Sequence, residues 1–467
     1  MHTKNEEDFH MDYSFLTKNG TPKKSRVGIV GATSGYGYTL LAQIAQVPLI
    51  ELRAVCALSV EDCQRVLLEL GYKKENLVIC GTVQQIQTAP SHKVLILTDY
   101  RLVPETDITA LVECTGNPAV GSGLSEAALK KGKNVYMVSK ETDSVCGTIM
   151  NQTALENHCV YTLVNGDQPR NLLDLISWGR ILGLDIICAG KSSEYDFVWD
   201  PDTTEFTCLN DTDQPHEPMP GMKDLWHYRG PETLRQRAAI TAKYRSVISA
   251  DLCEMNLVSN VSGMAPACPH MHYPVARISE LADIFIPRED GGILEKTGVV
   301  DVFYNLRQPG EASFAGGVFI IIRCENETVW NILAGKGHVV SRNKKYACVY
   351  LPYHYMGLES PVSILLGDLM GIGTNEGCRQ TAVMAAVAQE DIPRGTVLRV
   401  HGHHHSIDHM VPELWEKKDA ADIAPFYLLN GMSLVRDVKK GAPVTLGDVN
   451  LEGQKLYELY RRGLALD

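Results

Sequence analysis

The stretch RVGIVGATSGYGYTLLAQIA, Arg26–Ala45, sets a glycine-rich turn between an apolar run and a helical pattern. In the usual dinucleotide fingerprint the first glycine makes a tight turn, the second admits a pyrophosphate, and the third lets helix and strand pack closely. Gly31 takes the first role here. Thr33 and Tyr36 stand where the other two glycines are expected, with Gly35 and Gly37 beside them. The turn stays small at a helix N-terminus, whose free N–H groups and dipole favour an anion, and Thr33 and Ser34 add hydroxyl donors. The spacing predicts a coenzyme cradle over Gly31, Ala32, Thr33, Ser34, Gly35, Tyr36 and Gly37; the alternative is a bare structural turn.

A second strand ends in CALSVED, with Ser59 and no acid at its end. An NAD site often places Asp or Glu there against the adenosine ribose, so Ser59 leans the reading toward NADP(H) over NAD(H). Thr115, Gly116 and Asn117 in VECTGNPAVG suit a loop beneath the nicotinamide-side ribose. MVSKETD ends a further strand, and ligands gather at strand C-termini in such sheets, which brings in Ser139, Lys140, Glu141 and Asp143. Lys140 is the best placed of the four for chemistry; a solvated helix start is the plainer reading. Hydride transfer to a carbonyl needs a donor to the developing alkoxide, and a lysine among glycines allows close approach. Lys191 after AG is the first choice, then Lys296 in GGILEKTG and Lys336 in AGKG.

Those residues need a scaffold. Up to Val164 apolar strands alternate with helical patterns, which calls for a parallel sheet covered on both faces. The expected class is α/β, with four segments: an N-terminal tail over 1–24, a Rossmann domain over 25–165, an α+β substrate and dimerisation domain over 166–376, and a small β-rich unit over 377–467. Asp196–Pro220 reads as a long polar loop. AVAQEDIPRGTVL and SLVRDVKKGAPVTLGDV form an internal pair inside the last unit. HGHHHSIDH, His401–His409, tempts a zinc assignment, with His403 and His405 on one strand face, but reads better as a surface loop.

With 467 residues, 45% apolar and 21% charged, the composition is that of a globular protein with several cores. A formal charge of −12 and no basic stripe argue against a nucleic-acid partner. Thirteen scattered cysteines without a Cys-x-x-Cys pair fit a reducing cytoplasm, and no run is long enough for a membrane span.

The glycine turn resembles that of semialdehyde-dehydrogenase-type Rossmann domains, and LVECTG with AALKKGKNVYMVSK resembles the nucleotide domain of homoserine dehydrogenase. The phrases GDQP, AGK, IPREDGGILEKTGVVD, AGKG, PYHYMGLESP and AVAQEDIPRG resemble more closely the homoserine-dehydrogenase-like oxidoreductases with a C-terminal SAF domain. That group includes the DXR-like reductoisomerases, which make methylerythritol 4-phosphate from 1-deoxyxylulose 5-phosphate with NADPH. The resemblance implies an NAD(P)-dependent oxidoreductase of a small polyhydroxylated carbonyl or alcohol, with or without a phosphate, working as a homodimer. It also brings His354 into the catalytic set. An isomerisation would use a divalent cation, Mg or Mn, for which Glu254 in LCEMN and Asp301 in VVDV are the hard ligands; Glu254 would otherwise act as a base, and each acid is equally read as a buried structural one. The competing readings are a non-catalytic nucleotide-binding sensor or scaffold, and a homoserine-dehydrogenase-type or sugar-acid enzyme.

Overall fold

The structure, a computed structural model, describes residues 24–33, 35–209, 216–375 and 377–466. The expected tail, apart from Lys24, and the cradle residue Ser34 lie outside the described residues. Seven strands form the first sheet: β1 (Ser25–Val30), β2 (Ile50–Cys56), β3 (Leu77–Cys80), β4 (Val94–Leu97), β5 (Ala110–Glu113), β6 (Asn134–Met137) and β7 (Tyr161–Leu163). Their order is β3-β4-β2-β1-β5-β6-β7, and every pairing is parallel. These strands are near-continuous apolar runs because helices cover both faces. The winding reverses between β1 and β5, so their C-terminal ends flank the crevice where such sheets bind ligands.

The second sheet takes β8 (Asp185–Ser192), β9 (Phe197–Trp199), β10 (Glu205–Cys208), β11 (His216–Pro218), β12 (Ala265–Pro266), β13 (Val275–Ala276), β14 (Val299–Arg307), β15 (Val318–Arg323) and β16 (Tyr346–Leu351). Its main path runs β11-β10-β9-β14-β8-β15-β16, with β12 and β13 added along β14. Asp196–Pro220 is therefore no plain loop. Phe197, Trp199, Phe206 and Cys208 are buried at alternate positions, and that period-two pattern makes strands of a stretch whose prolines and acids read as irregular. On one face Ala189, Val300 and Val302 share a core with Leu172 and Ile176 of the helix Gln168–Ile181 and with Leu252 and Met255 of the helix Ser249–Ser262. On the other, Cys188 and Phe303 pack with Phe285 and Phe319.

The chain then returns. The helix Ser360–Met370 packs Ile364 and Leu365 into the core of the first sheet, and Tyr136 of β6 donates to Asp368 (2.8 Å) and to the Ile364 carbonyl (3.0 Å). A two-stranded antiparallel sheet, β17 (Ala382–Ala388) with β18 (Met410–Glu416), begins the C-terminal unit. The internal pair faces itself there: Ile392 N–H donates to Val438 (2.8 Å) and Val438 N–H returns the bond to Ile392 (2.9 Å). All thirteen cysteines are free. No helix among the described residues is long and apolar enough to cross a membrane.

Candidate active site

Gly31 ends β1 at φ +86, a conformation open chiefly to glycine. A Cβ there would lie 2.5 Å from the Cys114 carbonyl oxygen after β5, and one on Gly37 would lie 2.1 Å from the Gly31 carbonyl oxygen. Gly31 thus lets β1 and β5 approach, and Gly37 lets the helix Gly35–Ile44 close onto the turn. Gly35, at φ +52, faces open space: a Cβ there would meet nothing within 4 Å. Ala32 is buried and Thr33 half-buried. The cradle fits a pyrophosphate in that its backbone is bare where a ligand would approach and closed where helix meets strand. The Tyr36 hydroxyl donates to the Asn165 carbonyl (2.9 Å) and lies 2.8 Å from Ser360 Oγ, tying its helix to the start of the helix Ser360–Met370.

Ser59 caps the helix Val60–Glu69 by accepting from Asp62 N–H (3.0 Å), and no carboxylate ends β2. Past β5, Thr115 N–H donates to the buried Glu113 (2.9 Å), Gly116 N–H to Ser139 Oγ (2.8 Å), and Asn117 caps the helix Pro118–Lys130. Two cavities open at these strand ends. One, about 280 Å³, is lined by Gly116, Asn117, Glu141 and His405 among others. The other, about 380 Å³, is lined by Tyr36, Lys140, Asp167, Glu194, His354 and His403 among others.

Lys140 opens the helix Lys140–Glu156 directly after β6, and its side chain is 18% exposed. Its ammonium holds Glu254 Oε1. Lys191 of β8 holds Glu254 Oε2 and, at 2.7 Å, Asp251 Oδ1. Asp251 accepts further from Ser193 (2.7 Å) and the Tyr273 hydroxyl (3.1 Å). The Gln168 amide, oriented to donate, reaches Asp167 (2.9 Å) and Glu254 (3.2 Å). Burial alone would lower the Lys140 ammonium, but Glu254, Asp167 and Glu141 outweigh it and hold it well above the usual lysine value. Burial would raise Glu254; Lys140 and Lys191 bring it down to about 2. Asp167, pushed up by burial and by Glu254, and Glu141, pushed up by burial, stand at about 6 and about 7. Burial lowers His354, at the cavity wall, from the ordinary imidazole value.

The structure sorts the expected lysines. Lys191 has no exposed side-chain surface and is held between two carboxylates, Asp251 and Glu254. Lys296 pairs with Glu416 of β18, and it and the exposed Lys336 line neither cavity. Glu254 and Asp301 do not come together as a cation site. Asp301 pairs in register with Gly190, one step from Lys191, so it faces the other side of the sheet and binds His272 (2.5 Å). Among the described residues no three His, Cys, Asp or Glu side chains are arranged to hold a metal ion.

Four residues of the site were not singled out from the sequence: Asp167, Gln168, Glu194 and Asp251. Asp251 had a signal, since it precedes Glu254 by three residues on one helix and so shares its face. The histidine stretch is a surface turn, with His405 at φ +54; His403 lines the larger cavity and His405 the smaller one. His404 Nδ1 lies 3.3 Å from Glu194, His403 Nε2 3.9 Å from it, and His405 Nδ1 3.4 Å from Glu141. Burial and Lys140 bring His405 down to about 4.

Residues 230–360 match the family model described as oxidoreductase DRL, catalytic domain. No curated protein matches the chain. Among solved structures, a DOX-P reductoisomerase in complex with NADPH, fosmidomycin and magnesium is 15% identical, with 50% of this chain and 58% of that one covered at a TM-score of 0.30. Another, in complex with magnesium, is 17% identical over 37% of this chain and 46% of that one, at 0.27. The chain thus spans about half the length of these reductoisomerases. A scyllo-inositol dehydrogenase from Lactobacillus casei with bound NAD(H) and scyllo-inositol is 13% identical over 74% and 87%, at 0.35. The matched stretch includes Glu254, the carboxylate that holds Lys140 at the end of the parallel sheet.

Proposed function

We propose that the chain moves hydride between a nicotinamide coenzyme and a hydroxyl-bearing carbon of a small polyhydroxylated substrate, in the cavity that Lys140 and His354 share. The observation that carries this reading is Lys140 itself, a partly exposed ammonium at a strand end with a buried carboxylate behind it. The backbone of Gly31, Thr33 and Gly35 would hold the pyrophosphate, and Gly116 and Asn117 border the cavity beside the nicotinamide-side ribose. The bound coenzyme supplies the hydride acceptor or donor. Lys140 donates to the reacting oxygen and stabilises it as negative charge grows. Glu254 keeps Lys140 charged and aimed, while Lys191 holds Glu254 from behind. His354, at the cavity wall, takes or returns the hydroxyl proton.

A cavity of about 380 Å³ suits a substrate the size of a sugar derivative. NADP(H) is the favoured coenzyme because no acid stands at the end of β2 to repel a 2′-phosphate. A DXR-like conversion is the named candidate within this reading. Coenzyme oxidation by the purified chain should be followed over 1-deoxyxylulose 5-phosphate, and coenzyme reduction over sugar acids and polyols, with Lys140→Met beside the wild type. Turnover of one class, lost in the variant, supports the proposal; equal turnover in both removes it.

A further inference from the structure

A third cavity, about 630 Å³, opens between the helix Pro231–Ile240, the loop His272–Pro274 and the loop Arg288–Ile293. It shares no lining residue with the two catalytic cavities. Arg235, Arg245, Arg288 and His272 line it, and no acidic side chain does, in a chain whose formal charge is −12. Three of these cations have carboxylate partners outside the lining: Glu232 for Arg235, Glu295 for Arg288 (2.8 Å) and Asp301 for His272 (2.5 Å). Arg245 has none among the described residues. It donates to the Tyr273 carbonyl (3.1 Å), lies over the Tyr304 ring with 5.9 Å to the centroid, and leaves an enclosed Nε–H without a partner. An incompletely satisfied guanidinium beside further cations is a fork for a phosphate.

The backbone points the same way. Met271 and Tyr273 both sit at positive φ, +54 and +45, which a bulky residue adopts only when its surroundings impose it. What imposes it on Tyr273 is visible at both ends. Its carbonyl meets Arg245, and its hydroxyl meets Asp251, the carboxylate that holds Lys191. The strained residue spans the wall between this cavity and the catalytic cluster.

We propose that the Arg235–Arg245–Arg288–His272 cavity is a binding site for a small organic phosphate, separate from the coenzyme and substrate positions. The lining supports phosphate over a single carboxylate: four cations from four segments surround a volume that holds more than one anionic group. The site does not depend on the hydride-transfer reading, and Tyr273 is the route by which occupancy would reach Asp251.

Calorimetric titration of the full chain with pyrophosphate, at ionic strength fixed with chloride and repeated under saturating NADPH, tests it. One saturable site should persist under NADPH and in Lys140→Met, weaken at least about tenfold in Arg245→Gln, and be partly restored in Arg245→Lys. Should Arg245→Gln fail to fold, Arg235→Gln and Arg288→Gln, whose side chains are 74% and 64% exposed, should each weaken it severalfold. Unchanged affinity in the arginine variants, loss of the site under NADPH or in Lys140→Met, or tighter binding of citrate than of pyrophosphate would overturn the proposal.

Discussion

Lys140 and Lys191 grip opposite oxygens of one carboxylate, Glu254, yet only Lys140 has any surface. Lys191 is matched by a second carboxylate, Asp251, which leaves Glu254 free to serve Lys140. Two lysines that look alike in sequence thereby differ in place: one lines the cavity and the other is buried against the acid between them.

Replacing Lys140 by methionine should lower kcat by about 100-fold or more, the range for a lost proton-transfer or alkoxide-stabilising group. Stability should change little, because Glu254 keeps Lys191. Steady-state kinetics beside a thermal melt check both halves of this expectation.

Lys191→Met should behave in the opposite order. It strands Asp251 and Glu254 in a fully buried site, and removing one partner of a buried pair costs about 3–5 kcal/mol. Denaturant unfolding should show the loss. A well-folded Lys191→Met chain with only its turnover abolished would instead mean that Lys191 touches the substrate.

Gly316 bears on His354. It sits at φ +70, and a Cβ there would lie 2.3 Å from the imidazole Cε1. Gly316→Ala should therefore displace His354 and lower kcat while coenzyme affinity stays, because the cradle at Gly31 is untouched. Coenzyme titration and turnover on the same preparation separate the two effects.

Glu141 links the site to pH. Burial raises its folded-state pKa from 4.5 to about 7, so the folded chain binds this proton more tightly than the unfolded chain. Its contribution is fully present below the unfolded value and is lost as pH rises through about 7. Melting temperatures measured from pH 4 to pH 8 should show this fall in the wild type and a flatter profile in Glu141→Gln.

The Rossmann half was legible because its signals are local. Apolar runs, caps such as Asn117 and the small residues at Gly31 each speak for one element, and the order of elements fixes the parallel sheet. Lys140 and Glu254 were legible singly, as a strand-end lysine and an acid in an apolar helix. Their pairing was not, since 114 residues separate them and only the packing of the helix Ser249–Ser262 on the helix Lys140–Glu156 joins them. The same limit hid Glu194 and promoted Lys191. A lysine beside glycines looks accessible until β14 and β15 close over both sides of β8. The histidine turn read as surface because nothing in its own sequence says that the C-terminal unit folds back onto Glu194 and Glu141.

His403 carries that return into chemistry. It lines the cavity with Lys140, so His403→Ala should raise KM several-fold with kcat nearly unchanged. An unaltered KM across accepted substrates would confine the C-terminal unit to a structural role.

The central claim is that a nicotinamide coenzyme lies across Gly31 with its reactive ring reaching Lys140. Direct titration of the purified chain with NADPH and NADH, in wild type and Gly31→Ala, tests it most closely. Saturable binding in the wild type, lost when the added methyl group meets the Cys114 carbonyl, is the expected result. A folded wild-type chain that binds neither coenzyme at millimolar concentration would contradict it.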